Sequence, residues 1–218
     1  MPNNKLTGLL LDAQYTINEQ GSAVIQVFLS NDKEILKFED PNFKPYLYVL
    51  SNSPKETIKA LEEHEFEEGA KILKAEEVKM ENATNVIKVF FKNPQELVKA
   101  RETIEDIEGV IEKREFDIPF AKRYLIDKKL APMKGIEIEE ENGVIKKISR
   151  KEVKHELRNM AIDLETYSPG RFSDPELDPI LMAVLSTTKW TKIYTYKGSS
   201  DKGVVVLKDE KEMVEKII

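Results

Sequence analysis

Two matching helix starts, each placed just after an apolar strand, constrain this chain more than any other feature. Pro45-Tyr-Leu-Tyr-Val-Leu50 leads to Ser53-Pro-Lys-Glu56, and Val86-Ile-Lys-Val-Phe-Phe91 leads to Asn93-Pro-Gln-Glu96. Each tetrapeptide combines an N-cap side chain, a Pro in the first turn where no N–H is needed, and a Glu three residues on. The spacing predicts two helices, with Ile58 and Leu61 turned inward in one and Leu97, Ala100, Ile104 and Ile107 in the other. Each helix leads to a further strand, Lys71-Ile-Leu-Lys74 and Val110-Ile-Glu-Lys113.

The resulting order, β-α-β-β-α-β, is that of a ferredoxin-like unit, which is also the topology of RNA-recognition modules. The glycine–aromatic signature of those modules is missing, so Tyr46, Tyr48, Phe90 and Phe91 are read mostly as core. Ahead of this unit, Leu9–Tyr15 and Ala23–Leu29 flank the hairpin connection Asn18-Glu-Gln-Gly21, and Ile35–Phe38 adds a third strand. Behind it, Glu137-Ile-Glu-Glu-Glu141 and Val144-Ile-Lys-Lys-Ile148 flank Asn142-Gly143, a hairpin turn with opposite charges facing across it. Residues 134–156 are therefore expected to be a surface hairpin and inter-domain connector. The fold class is α+β / α/β, with a first domain over 1–133, this linker, and a second domain over 157–218.

Charged residues make up 34% of the chain and hydrophobic ones 40%, the balance of a soluble globular protein. No apolar run approaches the ~20 residues of a membrane span, and the polar start is no signal peptide, so no membrane partner and a cytoplasmic location are expected. The chain has no cysteine, which excludes disulfide scaffolds, thiolate metal sites and cysteine nucleophiles. A net charge of -6 argues against an all-over polyanion-binding surface. Contact with nucleic acid would have to come from local patches such as Lys122, Arg123, Lys128, Lys129 and Lys134, which face only Asp127.

One acidic pair stands out by context. In Met160-Ala-Ile-Asp-Leu-Glu-Thr166, strand alternation projects Asp163 and Glu165 together, with Met160, Ile162 and Leu164 on the opposite face. Two carboxylates converging at the edge of a buried strand can hold Mg²⁺ or Mn²⁺ for phosphodiester chemistry. The spacing itself is common: it recurs at Asp32/Glu34, Asp106/Glu108 and Asp174/Glu176, which read as solvated surface. Strands at Asn159–Thr166, Pro179–Leu185 and Lys192–Tyr196, with a helix opened by Asp209, match the start of a ribonuclease-H-like nuclease. The further acidic residues of such a nuclease do not follow, so the domain is expected to be incomplete.

Together these residues resemble the N-terminal part of an archaeal-type family B DNA polymerase. The resemblance rests on Phe43-Lys-Pro-Tyr-Leu-Tyr48, Asn93-Pro-Gln-Glu96, the run Glu115–Asp127 followed by Pro132-Met133, and Ile162-Asp-Leu-Glu-Thr166. It covers nearly the whole chain; the later exonuclease motifs and all polymerase motifs are absent. It implies that Asp163 and Glu165 are catalytic ligands of the Mg²⁺ or Mn²⁺ ions of 3′→5′ proofreading, within the complete enzyme. It also implies a pocket for template uracil formed by Tyr15, Pro45, Tyr46, Pro94, Leu97, Arg101, Pro119, Phe120 and Arg123, with the two arginines on adjacent phosphates.

Three features depart from the family pattern. Leu97 stands where a smaller β-branched residue is usual, Gln14 replaces an acidic residue, and the 134–156 hairpin is longer. Implied partners are single-stranded or primer-template DNA and the remainder of the polymerase, with a sliding clamp as a further candidate. The alternatives are a stand-alone single-stranded nucleic-acid-binding module and an independent metal nuclease.

Overall fold

The first strand is long enough to serve two neighbours. The second half of β1 (Asn4–Ile17) pairs antiparallel with β2 (Ala23–Ser30), ending at Ile17↔Ala23. Its first half pairs with β8 (Gly135–Glu141), from Asn4↔Glu140 to Leu9↔Gly135. An irregularity between Leu10 and Asp12 follows this change of partner, and such irregularities bend a strand. β3 (Ile35–Asp40) pairs with β2, β9 (Val144–Arg150) pairs with β8, and β3 meets β9 at Glu39↔Val144, closing a five-stranded barrel. The computed structural model describes residues 4–31, 33–66, 69–80, 83–154 and 159–218. It divides into two compact units, Met1–His155 and Glu156–Ile218.

This topology corrects the reading of residues 134–156 as a surface connector. Ile136, Ile138, Ile145 and Ile148 all face the barrel core, while the charges between them face outward. The density of glutamate and lysine masks an ordinary half-buried alternation. The expected turn stands: Asn142 and Gly143 both have positive φ, 53° and 80°, as a two-residue hairpin requires. Charges do pair at this hairpin, Lys146 with Glu141 at 3.1 Å and Lys151 with Glu137 at 3.6 Å.

Between β3 and β8 the chain builds a separate sheet. Its elements are β4 (Tyr46–Ser51), α1 (Pro54–Glu63), β5 (Ile72–Met80), β6 (Ala83–Phe91), α2 (Pro94–Thr103), a 3₁₀ turn Ile104–Asp106, and β7 (Val110–Arg114). The strand order is β5-β6-β4-β7 with every pair antiparallel. One sheet face, with Leu47, Val49, Ile87, Val89 and Phe91, packs against Leu61, Leu97, Ala100, Ile104 and Ile107. Asn93 caps α2 as expected, its Oδ1 accepting the Glu96 N–H at 2.9 Å. Ser53 makes no such bond; the Ser51 hydroxyl accepts the Ser53 N–H at 2.9 Å and meets the Thr57 hydroxyl at 2.8 Å instead. α3 (Phe120–Asp127) sends Phe120 and Tyr124 into the barrel core.

The second unit is a sheet ordered β10 (Ala161–Thr166), β11 (Ile180–Ser186), β12 (Thr191–Thr195) and β13 (Val204–Val206), with α4 (Glu210–Ile217) on one face. Only the β12–β13 pair is parallel. Asp209 caps α4 by accepting the Glu212 N–H at 2.9 Å. Met213 of that helix packs on Ala183, Leu185 and Tyr194. Among the described residues, no helix is long and apolar enough to cross a membrane.

Candidate nucleic-acid interface

Every residue that the resemblance assigned to a pocket lines one cleft of about 190 Å³ in the first unit. α2 supplies Pro94, Leu97, Val98 and Arg101, which recur at helical spacing and so share one face. Opposite come Phe116, Asp117, Ile118 and Pro119 from the segment entering α3, then Phe120 and Arg123. Tyr15 arrives from the end of β1, and Pro45 and Tyr46 from the start of β4. Val98, Phe116, Asp117 and Ile118 were missed by sequence reasoning; the α2 periodicity pointed to Val98, which lies between Pro94 and Arg101 on that face.

The ring lattice behind the cleft is continuous. Tyr15 meets Phe120 edge-on at 5.5 Å, Phe43 stacks on Phe120 at 5.6 Å, and Phe43 meets Tyr124 at 5.0 Å. Such pairs fix ring planes as well as burying area. Near the α2 N-terminus the barrel is stitched to the sheet: the Ala23 N–H donates to Lys92 O at 2.9 Å, and the Asn93 amide donates to Gly21 O at 2.9 Å.

Tyr46 is the hub. Its hydroxyl donates to both oxygens of Asp127, at 2.9 and 2.7 Å. The Arg123 guanidinium lies 4.8 Å from the ring centroid and the Lys88 ammonium 3.5 Å from it. Burial, then the Asp127 bond, pushes the Tyr46 phenol well above its ordinary value. Burial pulls Lys88 below the usual lysine range, against the attraction of Asp127.

Arg123 does not have the role expected of it. It is only 6% exposed, its Nη1 lies 2.6 Å from Glu115 Oε2, and its Nη2 donates to Glu115 O at 3.4 Å. Glu115 holds a positive φ of 54°, uncommon for a residue with a side chain, and Arg123 grips both its ends. A guanidinium so held braces the cleft wall. Arg101 is different: half-buried, with its Nε directed only to the neighbouring Glu102 at 3.0 Å among the described residues.

The carboxylate pair lies on β10 in the second unit. Asp163 sits opposite Val184 and Glu165 opposite Met182, whereas Ile162 and Leu164 sit opposite Leu185 and Ala183 on the α4 side. The pair therefore projects from the face that α4 leaves open. The strand is not buried as expected: Ile162 is 52% and Leu164 44% exposed. α4 packs over β11 and β12, and β10 is paired only with β11 among the described residues. No group of three or more acidic or histidine ligands occurs among the described residues. Mg²⁺ commonly takes one or two carboxylates and fills the rest of its octahedron with water and substrate phosphate, so the donor set suits part of such a shell. Of the other Asp-x-Glu matches, Asp106 and Glu108 are exposed, Glu176 is exposed beside a half-buried Asp174, and Asp32 lies outside the described residues.

Comparisons with known proteins bear on the chain as a whole. Residues 111–218 match the model of the DNA polymerase family B exonuclease domain. Over nearly its whole length the chain is similar to archaeal DNA polymerases. It is 35% identical over 98% of its length to a DNA polymerase of Methanocaldococcus jannaschii, of which it covers 13%. It is 33% identical over 96% of its length to a DNA polymerase of Thermococcus gorgonarius, of which it covers 25%. The chain thus spans a quarter or less of the length of these relatives. The family B DNA polymerase of Pyrobaculum calidifontis matches in fold over 91% of this chain and 28% of that one, with a TM-score of 0.70 at 24% identity.

Proposed function

We propose that this chain is the template-binding and uracil-sensing segment of a DNA-directed DNA polymerase, together with the opening of its proofreading exonuclease domain. The observation that carries the reading is the convergence of Tyr15, Pro45, Tyr46, Pro94, Leu97, Arg101, Pro119, Phe120 and Arg123 on one rigid-walled cleft. Its volume of about 190 Å³ is below the ~300–1,000 Å³ of ordinary ligand pockets. That suits one flipped base rather than a whole nucleotide. Prolines and stacked rings make a floor that cannot yield to the C5-methyl of thymine, while uracil lacks that group. Arg101 takes an adjacent phosphate, and Arg123 holds Tyr46 and Glu115 in place.

A ferredoxin-like unit over β4–β7 is supported by the order β5-β6-β4-β7, and a ribonuclease-H-like opening by the antiparallel β10-β11-β12 run. The template domain expected over 1–133 extends through the 134–156 hairpin that completes its barrel, ahead of the exonuclease portion over 157–218. Asp163 and Glu165 would hold Mg²⁺ or Mn²⁺, which when bound supplies Lewis-acid stabilisation of the scissile phosphate. The partners are single-stranded or primer-template DNA, the rest of the polymerase and a sliding clamp, in the cytoplasm.

Fluorescence anisotropy with single-stranded oligonucleotides differing only in one uracil or thymine, at fixed moderate salt, tests the reading. Uracil preference that disappears in Tyr46→Ala is the expected result; equal affinity of the wild type for both oligonucleotides sinks uracil sensing. The chain by itself is expected neither to polymerise nor to degrade DNA efficiently. Metal-dependent 3′→5′ degradation abolished by Asp163→Ala would overturn that expectation. A second reading, a single-stranded nucleic-acid-binding module without chemistry, is favoured by the exposure of the acidic pair, and the same assays separate the two.

A further inference from the structure

The face of the β5-β6-β4-β7 sheet opposite its helices carries a second set of aromatic and basic side chains. Strand register defines it in two rows. Tyr46 pairs with Phe90, which pairs with Lys74; Arg114 pairs with Tyr48, which pairs with Lys88 and then Glu76. Tyr46 and Phe91 are buried, as the sequence suggested, but Tyr48 and Phe90 are only half-buried. The helix-side core contains neither of them.

Lys88 stands among these rings, its Nζ 3.5 Å from the Tyr46 centroid, 5.2 Å from Phe90 and 5.8 Å from Tyr48. Among the described residues no carboxylate comes within ion-pair distance of it, and its cross-strand neighbour Glu76 is taken by Lys74. Asp127, Glu76 and Glu115 are the carboxylates whose field reaches it. A half-buried ammonium over three ring faces, without a carboxylate of its own, is short of an anion.

We propose that this sheet face is a second contact surface for single-stranded DNA, on which Tyr48 and Phe90 stack bases while Lys88 pairs with a backbone phosphate. Aromatic platforms beside lysines bind single strands with little sequence preference, because every base has a π-face. Tyr46 belongs both to the cleft wall and to this face, so a strand held in the cleft continues onto the sheet without a break. The proposal rests on the template-binding reading and extends it from one base to a track. Arg114 is held bidentately by Glu112, at 3.0 and 2.9 Å, and serves the edge of the track rather than its centre.

The test measures anisotropy of the whole 218-residue chain with a length series of oligo-dT, and in parallel with the uracil and thymine pair. Phe90→Leu keeps an apolar side chain while removing the ring; on β4, Tyr48→Leu removes the ring together with its hydroxyl. The double variant is expected to bind longer oligo-dT about tenfold more weakly with its uracil-to-thymine ratio unchanged. Lys88→Met is expected to lower the slope of log K against log salt by about one. Circular dichroism and urea melts of each variant establish that it is folded. Folded variants with wild-type affinity and salt slope overturn the platform while leaving the cleft reading intact. Absence of any single-strand binding by the wild type overturns both, and loss of uracil preference alone strikes only the cleft.

Discussion

The cleft and the carboxylate pair are both clusters of functional side chains, but they are built to opposite standards. In the cleft, Tyr46 is fixed on Asp127 and Arg123 on Glu115, and beside it Asn93 is fixed on Gly21. On β10 the side chains stand on an open sheet face at the edge of their sheet. The first region is pre-organised and owes its shape to this chain's own packing. The second supplies donors whose geometry depends on whatever completes the shell. A binding site for an uncharged ring needs only shape and hydrogen bonds, whereas a catalytic metal needs ligands from several directions.

The contrast is most easily broken at Arg123. Arg123→Met leaves Glu115 and Asp127 facing the hub without their cation, and a cost of about 3 kcal/mol is expected in urea unfolding. Tyr46→Phe comes next, at about 1.5 kcal/mol, because it strands the Asp127 carboxylate without its hydroxyl donor. Alkaline titration sharpens the same point. A phenol whose folded value is raised contributes stability that is full below its ordinary value of 10.0 and is lost as pH climbs toward the folded value. Tyr46 and Tyr124, both raised by burial, are therefore expected to ionise only as the protein unfolds, so phenolate absorbance and circular dichroism rise together for them.

Arg101→Ala is expected to leave stability within about 0.5 kcal/mol and to lower only DNA affinity and its salt slope. Smallest of all, Asp163→Asn is expected to leave unfolding unchanged while removing weak Mn²⁺ binding, read by paramagnetic broadening. A marked stability loss there would mean that the acidic strand is as well buttressed as the cleft.

The sequence was most readable where local chemistry decides structure. The Asn93 cap, the Asn142-Gly143 turn and the inward placement of Leu97 and Ala100 on α2 all depend on residues close in the chain; Ile104 and Ile107 are buried as well, but from the 3₁₀ turn and the residue after it, not from the helix that their spacing suggested. What escaped was long-range. Nothing within 134–156 announces that Ile138 will lie against Leu6, because strand partners are chosen by the whole barrel. Ser53 makes no capping bond, and its own N–H is taken by the hydroxyl of Ser51, a contact that the helix-start spacing does not announce. Arg123 looked like a phosphate ligand because its charge is visible in the sequence, whereas its burial and its partner Glu115 belong to the fold. The cleft membership of Tyr15 and Pro45 came from family resemblance, since no periodicity joins them to α2.

The closure of β1 by β8 also sets a timetable. The sheet between them is complete once residue 114 has been made, but the barrel that opens the chain cannot close until β8 and β9 follow. Pairings so distant in sequence form late and slowly, because the loop must be ordered before the contact repays it. During synthesis β1–β3 therefore wait as an unfinished sheet, with Leu10, Ile25, Val27 and Leu29 still lacking the side of the core that Ile136 and Ile138 bring. For this chain, the ribosome reaches the beginning of the first domain first and its last wall only after everything inside that domain has been built.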